Sequence, residues 1–464
     1  MSEEKKNRQQ LACDYIHENY VAFNRLRYDL IAQKVQVCEE QAYPQPICSM
    51  NVHSGHSIEP MALHPEGSGD CRTRWRYITN ADINSIVCDC CAETGANISA
   101  KEILTVLNAG SSYIPRVHPL RDYVLSLKPY TPDQPDWIDM VARQVKTLGP
   151  HLTSPPRGGI EPESTLPHEG GDGGGLWRLC FKKWFVAMVA SWLKDDIVNH
   201  QVLVLIGRQG IFKTTWLERL IPPHLRDYCC KLANATQLSK DDRLRIAEFG
   251  LINMDELDAM TPRELSAMKS VITASDVNER AAYGYTKERR VRLASFCASS
   301  NKREFLTDMT GNRRWLPFEV ESIQNPFYTT QPYDLMYAEA LYLIENDFNY
   351  WFDMEEIDTL EEHNEAFRAQ DSEEQLLPIL FDIPAEGKGE FMTTAQISER
   401  LVSYGNIKKP MSVSQLGMLL GKAGYRAVTR GNRNARVRGW IVYQRNTDEI
   451  NANKTLLAKD GVTM

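Results

Sequence analysis

The chain lacks any apolar run approaching the ~20 residues that a membrane-spanning helix needs, although 42% of its 464 residues are apolar. No helical anchor is therefore expected. Met1-Ser2-Glu3-Glu4-Lys5-Lys6 leads into no apolar stretch, so no secretory leader is expected either. It also lacks paired C-x-x-C knuckles. Eleven cysteines are present, with Cys88, Cys90 and Cys91 crowded and Cys38, Cys48, Cys71, His53, His56 and His64 upstream, but none stands at finger spacing. Buried free thiols are the expectation, a zinc site the other reading. Positive charge is short: 53 basic residues face 61 acidic ones, for a net charge of −8. The chain as a whole is thus no polyanion binder, and nucleic-acid contact must come from local patches. Residues 1–148 show no constellation of catalytic carboxylates, which argues against a primase centre there. A cytoplasmic protein of roughly three domains, its thiols reduced, is what remains.

What is present centres on Gly207-Arg208-Gln209-Gly210-Ile211-Phe212-Lys213-Thr214. An apolar run, Val202 to Ile206, precedes it, and a helix-like stretch, Thr215 to Leu220, follows. Strand, glycine loop, lysine, hydroxyl, helix is the order of a phosphate cradle, in which loop N–H groups and a helix N-terminus face the phosphates. Gly207, Gln209, Gly210, Lys213, Thr214 and Thr215 are the candidate nucleotide contacts. Lys213 would neutralise phosphate charge, and the Thr214 hydroxyl would hold Mg²⁺. Phe212 stands where the pattern G-x-x-x-x-G-K-[ST] has glycine; the other reading is a chance glycine turn.

Some forty residues on, Phe249 to Glu256 reads as an apolar strand ending in two carboxylates. Asp255 is placed to hold Mg²⁺, directly or through water, and Glu256 to polarise an attacking water. A third strand, Leu293 to Ser300, ends at Asn301, where a polar sensor of the γ-phosphate would sit. Thr310-Gly311-Asn312-Arg313-Arg314-Trp315 then places an arginine pair on a tight turn, which suits an arginine finger.

Loop, Asp-Glu pair, Ser-Ser-Asn and Thr-Gly-Asn-Arg-Arg-Trp together resemble the virulence-associated protein E family, superfamily III helicase-like ATPases of phages and mobile elements. The resemblance is strong over residues 177–320. It is weaker over 113–150, where Tyr113 to Pro119 is similar to the family's lead-in. It implies an AAA+-related P-loop core within an α/β fold, ATP and Mg²⁺ as cofactors, and a homo-oligomeric ring, expected as a hexamer, around nucleic acid. A separate primase or other replication partner is a further expectation from that setting.

The remaining chain divides by composition. Residues 1–148 read as an α+β accessory domain, with a helix over 7–21 and a hairpin over Tyr20 to Val37 whose core candidates are Phe23, Leu26, Tyr28, Leu30, Val35 and Val37. A polar excursion or mobile loop covers 38–73. Helix is expected over Trp75 to Leu107, Leu120 to Leu127 and Trp137 to Lys146. Residues 149–175 are a Gly/Pro-rich linker, and Trp177 to Trp192 reads as an amphipathic helix leading into the core at 176–325. Within that core, Thr261 to Ala274 reads as a helix with Pro262 in its first turn. A basic, tyrosine-bearing stretch, Asn278 to Arg292, follows. The resemblance makes it a hairpin in the ring channel, with Arg280, Lys287, Arg289 and Arg290 on phosphates and Tyr283 stacked on a base of single-stranded DNA; a solvated, salt-bridged loop is the other reading.

Residues 326–384 form an acidic helical segment: from Glu345 to Glu374 there are twelve acidic residues and one basic. From Glu386 to Arg445 three acidic residues face eleven basic ones. There, helix (Thr393–Tyr404), helix (Ser412–Ala423) and a ribbon turning at Gly431-Asn432 follow the order of a winged helix over 385–446. Thr394 and Ser412 or Ser414 are the expected caps, and Arg430, Arg433 and Arg436 the contacts to duplex DNA. A protein-docking module is the other reading, and 447–464 is a tail. The expected function is an ATP-dependent DNA helicase or translocase acting in replication of a phage or mobile element. Two other classes remain: a non-translocating origin- or end-recognition ATPase, and a signalling or defence NTPase that binds no DNA.

Overall fold

The computed structural model describes residues 7–39, 74–108, 114–148, 174–232, 240–279, 288–306, 312–385, 389–431 and 436–451. Two compact units emerge: Met1–Phe305 with Thr310–Phe367, and Leu306–Met309 with Arg368–Met464. The first joins what the sequence divides into an accessory domain, a core and most of an acidic segment.

Its N-terminal part comprises helix α1 (Arg8–Ile16), strands β1 (Leu26–Asp29), β2 (Lys34–Glu39) and β3 (Arg74–Tyr77), helices α2 (Asn80–Thr94) and α3 (Ala100–Asn108), and strand β4 (Arg116–Val117). The sheet runs β3-β2-β1-β4. Ala12, Ile16, Leu26, Val35, Ile83, Ile86, Cys90 and Ile103 form its core. The expected hairpin is present, but it starts at Leu26 because a π-helical turn, His17–Val21, occupies the preceding residues. Phe23 and Leu30 flank the paired positions and are exposed rather than core. Trp75, expected on a helix, pairs with Cys38 on β3; Arg-Trp-Arg-Tyr is an alternating pattern, and a helix cannot start before the Thr79–Asp82 capping box. Residues 40–73 lie outside the described residues.

The central part begins with α4 (Pro119–Leu125), α5 (Trp137–Ala142), β5 (Val145–Thr147) and α6 (Gly174–Leu193). The expected helix over Trp137 to Lys146 breaks at Ala142, where the chain turns into β5. Then come β6 (Val202–Ile206), α7 (Lys213–Glu218), β7 (Cys229–Leu232), α8 (Lys240–Glu248), β8 (Leu251–Met254), α9 (Pro262–Thr273), β9 (Asp276–Glu279), β10 (Glu288–Val291), β11 (Ser295–Ser300), β12 (Trp315–Ile323), α10 (Tyr333–Glu345) and α11 (Met354–Glu365). Five strands are parallel in the order β12-β6-β11-β8-β7, and β5 adds antiparallel on the β12 edge. β6, β8 and β11 are buried at every position, as parallel strands covered on both faces must be.

Helix α6 fills one of those faces. Every residue from Phe181 to Trp192 except Lys182 is buried, so it is a core helix apolar all round and not the amphipathic one expected. Its indoles are anchored by polar contacts: Trp184 Nε1 donates to Phe296 O at 3.1 Å and Trp192 Nε1 to Gly250 O at 3.3 Å. The two lysines at its middle are paired, Lys182 with Asp136 and Glu339, Lys183 with Glu356. Among the described residues, no helix is long and apolar enough to cross a membrane.

The second unit holds α12 (Ser372–Leu380), β13 (Phe381–Asp382), β14 (Glu390–Met392), α13 (Thr394–Gly405), α14 (Val413–Lys422), β15 (Arg426–Arg430) and β16 (Val437–Gln444). Helix, helix and antiparallel ribbon follow as read, while α12, β13 and β14 were not foreseen. β16 carries β13, β14 and β15 as neighbours. Leu377, Phe381, Ile397, Leu401, Leu416, Leu420 and Val442 fill the centre. The caps are Thr393 and Ser412, each in a reciprocal capping box; Thr394 instead accepts from Trp440 Nε1 at 2.9 Å.

Candidate functional site

Parallel strands present their carboxyl ends along one edge, and open α/β sheets bind ligands there. Three adjacent strands of this sheet deliver side chains to that edge: β6 leads into the glycine loop, β8 into Asp255, β11 into Asn301.

The loop needs its glycines at two points. At Gly207 (φ +157°) a Cβ would meet the Val320 carbonyl oxygen at 2.9 Å, and Gly210 is left-handed at φ +86° with open space around it. Phe212 also sits in the left-handed region, at φ +69°. The sequence pattern has glycine here because the backbone turn demands it; this chain makes the same turn with a phenylalanine. Its ring packs edge-on against Phe327, centroids 6.2 Å apart. Gln209 is exposed, and Thr215 is half-buried in the first turn of α7.

Lys213 opens α7 and is 6% exposed. Its Nζ donates to Gly207 O at 2.6 Å, Arg208 O at 2.9 Å and Asn301 Oδ1 at 3.1 Å. All three acceptors are neutral. Burial pushes the amine's pKa down, while the more distant Asp258 and Asp255 pull it back up. A buried cation ringed by neutral oxygens is suited to receive an anion.

Thr214 Oγ1 donates to Asp255 Oδ1 at 2.9 Å, and Ser299 Oγ donates to the same oxygen at 2.5 Å. The two hydroxyls are 3.3 Å apart. Burial alone would raise the Asp255 carboxyl; the hydroxyl bonds and Lys231 outweigh it and hold the group below its usual range. This cluster is a small set of oxygen donors with one ionised carboxylate, which fits a hard cation such as Mg²⁺. Glu256 is exposed, in a left-handed conformation at φ +55°. That places its carboxylate outside the hydrogen-bonded cluster, next to Asp255 and facing solvent.

Two members of the site have no counterpart in the residues singled out from sequence. Ser299 belongs to strand β11, yet its hydroxyl donates to the shared Asp255 oxygen. Asp258 accepts from the Asn301 N–H at 3.1 Å and from Ser300 Oγ at 3.4 Å, bracing the sensor position. The spacing Asp255-x-x-Asp258 was the available signal for the second.

Arg313 and Arg314 lie on a single 3-10 turn, Asn312–Arg314. Arg313 is exposed and Arg314 half-buried, and neither makes an ion pair among the described residues. The turn is held by its backbone: Asn364 Nδ2 donates to Asn312 O and Trp315 O.

The basic stretch does form a hairpin, β9 with β10. Its stem arginines are engaged within the fold. Arg289 pairs with Asp276 at 2.8 Å and Arg290 with Glu248 at 2.9 Å. Arg292 is 1% exposed. Arg280, Tyr283 and Lys287 lie outside the described residues, as does Arg433. In the second unit Arg430 and Arg436 are exposed on the β15–β16 ribbon, and the Arg430 guanidinium lies 4.7 Å from the centre of the Phe391 ring.

Fold and site define an α/β protein with a glycine loop, a buried lysine and a hydroxyl–carboxylate cluster at the carboxyl edge of a parallel sheet. Residues 174–369 match the model of the virulence-associated protein E-like domain, which supports the resemblance to that family and extends it through α11. No curated protein matches the chain. Among solved structures, the A form apo structure of the NrS-1 C terminal region is 10% identical, covering 95% of this chain and 100% of that one at a TM-score of 0.42. A further apo structure of that region is 10% identical, with the same coverage and a TM-score of 0.38.

Proposed function

We propose that the chain is an ATP-dependent DNA translocase or helicase acting in the replication of a phage or mobile element. The observation that carries the reading is the convergence of Lys213, Thr214, Asp255, Ser299 and Asn301 from three adjacent strands onto one edge of the sheet. Lys213 would bind the phosphate oxygens in place of its present carbonyl partners. Thr214 and Asp255 would hold Mg²⁺, which supplies charge neutralisation on the phosphates when bound. Glu256 would orient and deprotonate the attacking water, and Asn301 would sense the γ-phosphate. Arg313, exposed and without a carboxylate partner among the described residues, fits a finger offered to the site of a neighbouring subunit in a ring. The match of residues 174–369 to the virulence-associated protein E-like domain supports the mobile-element setting. The exposed arginines of the β15–β16 ribbon support a winged-helix contact to duplex DNA.

A second reading is favoured by the ion pair of Arg290, whose side chain is buried against Glu248: with that arginine held by the fold, nucleotide could set assembly on DNA without translocation. One experiment separates the two. ATP turnover and strand displacement are measured on a forked duplex, with and without single-stranded DNA, for wild type and Glu256→Gln. The helicase reading expects DNA-stimulated turnover with displacement, and a variant that binds ATP with turnover lowered ~100-fold or more. Turnover without displacement favours the second reading, and a Glu256→Gln protein as fast as wild type would refute the catalytic assignment.

A further inference from the structure

Immediately after β12, an aromatic side chain stands in the open beside the loop. Phe327 is 68% exposed and Tyr328 next to it 89% exposed. The segment is nonetheless held in place: the Phe327 N–H donates to Asn325 Oδ1 at 3.0 Å, and the Tyr328 N–H and Thr329 Oγ1 donate to Asn325 O. Phe327 is tied to the loop through Phe212, whose ring meets it edge-on at the cost of a left-handed backbone. Strain of that kind persists where surrounding structure over-determines it, often at ligand sites.

The Arg219 guanidinium, at the C-cap of α7 and six residues beyond Lys213, lies 6.0 Å from the centre of the Phe327 ring. Its Nε is buried and has no hydrogen-bond partner among the described residues. A buried donor left unpaired costs free energy until something satisfies it. Tyr333 fixes the backbone at that point, its hydroxyl donating to Arg219 O at 2.8 Å. An open aromatic face and an unsatisfied donor thus sit together beside the loop that would take phosphates.

We propose that Phe327 is the platform for the purine base of the bound nucleotide, with Arg219 supplying the polar contact beside it. The inference rests on the phosphate-loop reading and deepens it: the loop would recognise the triphosphate, and Phe327 would distinguish a nucleotide from bare polyphosphate. An exposed phenyl face offers stacking to a base and nothing to inorganic phosphate, and the larger π-surface of a purine gains most.

The test compares the affinities of ATP, CTP and inorganic tripolyphosphate, each with Mg²⁺, by competition against a fluorescent nucleotide analogue. Wild type should bind ATP more tightly than CTP, and CTP more tightly than tripolyphosphate. Phe327→Ala should erase roughly tenfold or more of the ATP advantage over tripolyphosphate, with tripolyphosphate affinity unchanged. Phe327→Trp should retain the advantage, which excludes a loss through misfolding. Lys213→Ala should weaken all three ligands. An unchanged ATP-to-tripolyphosphate ratio in Phe327→Ala, with Lys213→Ala still defective, would overturn the base platform and leave the phosphate loop standing. A wild-type protein that binds none of the three would overturn both.

Discussion

Phe212 occupies a backbone conformation that costs an ordinary L-residue ~1–2 kcal/mol, and it recovers part of that through the edge contact with Phe327. The two terms are of similar size, so Phe212→Gly should change the unfolding free energy by less than ~1 kcal/mol. Phe212→Val should cost more than ~1 kcal/mol, because a β-branched side chain enters the left-handed region least easily and cannot reach the Phe327 ring. Urea melts of the two variants check this; equal losses would show that the turn itself is not the constraint. Lys213 presents the opposite case, a side chain that the free protein would be better without. Its amine is buried among neutral carbonyls, and its pKa is lowered from the ordinary 10.5. For a base with a depressed folded pKa, the penalty is fully present below the folded value and gone above the unfolded one. Lys213→Met should therefore raise the melting temperature at pH 7, and the gain should shrink to nothing as pH climbs towards 10.5. Differential scanning fluorimetry across that window reads the effect, and a gain independent of pH would assign it to packing instead.

At the level of elements, the link between the β9–β10 hairpin and β11 is Arg292. Its guanidinium donates to Ala294 O at 2.9 Å, to Asn199 O at 2.8 Å, and to Val271, Ile272 and Ala274 carbonyls at the C-terminal end of α9. Among the described residues its acceptors are all carbonyls, and the negative end of a helix stabilises the cation where a carboxylate otherwise would. Arg292→Met would strand those carbonyls in the interior, with an expected loss on the order of 3 kcal/mol in chemical denaturation. A loss below about 1 kcal/mol would mean that water reaches them. From sequence, Arg292 reads as one more basic residue of a nucleic-acid hairpin, since spacing says nothing of burial. The same blindness explains the other departures. Trp177 to Trp192 was legible as a helix but read as amphipathic, because which faces find partners depends on α5, α10 and the sheet packing around it. Strands β6, β8 and β11 were legible because each is a buried apolar run ending in chemistry-bearing residues. β5 and β13 were not, being three and two residues long and formed only because an edge lies next to them. Lys213, Thr214, Asp255 and Asn301 were legible as a set because each follows a recognisable strand. Ser299 was not, because its role comes from neighbours in the sheet rather than in the chain, and Asp258 offered only its spacing from Asp255.

For the whole molecule, the boundary at Phe367 and Arg368 matters more than the shift in charge along the sequence. A truncation before residue 385, which the charge pattern suggests, would leave Leu377, Leu380 and Phe381 without Ile397, Leu416 and Val442. Ending the chain at Phe367 removes that cluster intact. On the proposed function, such a protein should hydrolyse ATP like the full chain and lose duplex-DNA affinity, with the salt slope falling by ~0.9 for each phosphate contact removed. Filter binding at several salt concentrations decides the matter, and an unchanged slope would make the second unit a protein-docking module. The packing around α6 has one more consequence, of a practical kind. Trp177, Trp184, Trp192, Trp216 and Trp315 are fully buried in the first unit. Trp216 follows Lys213 by less than one helical turn and is pinned by Gln144, and Trp315 directly follows the Arg313–Arg314 pair. The protein thus carries intrinsic fluorophores at both the loop and the arginine turn, dark to solvent quenchers at rest and able to report movement of either without any label.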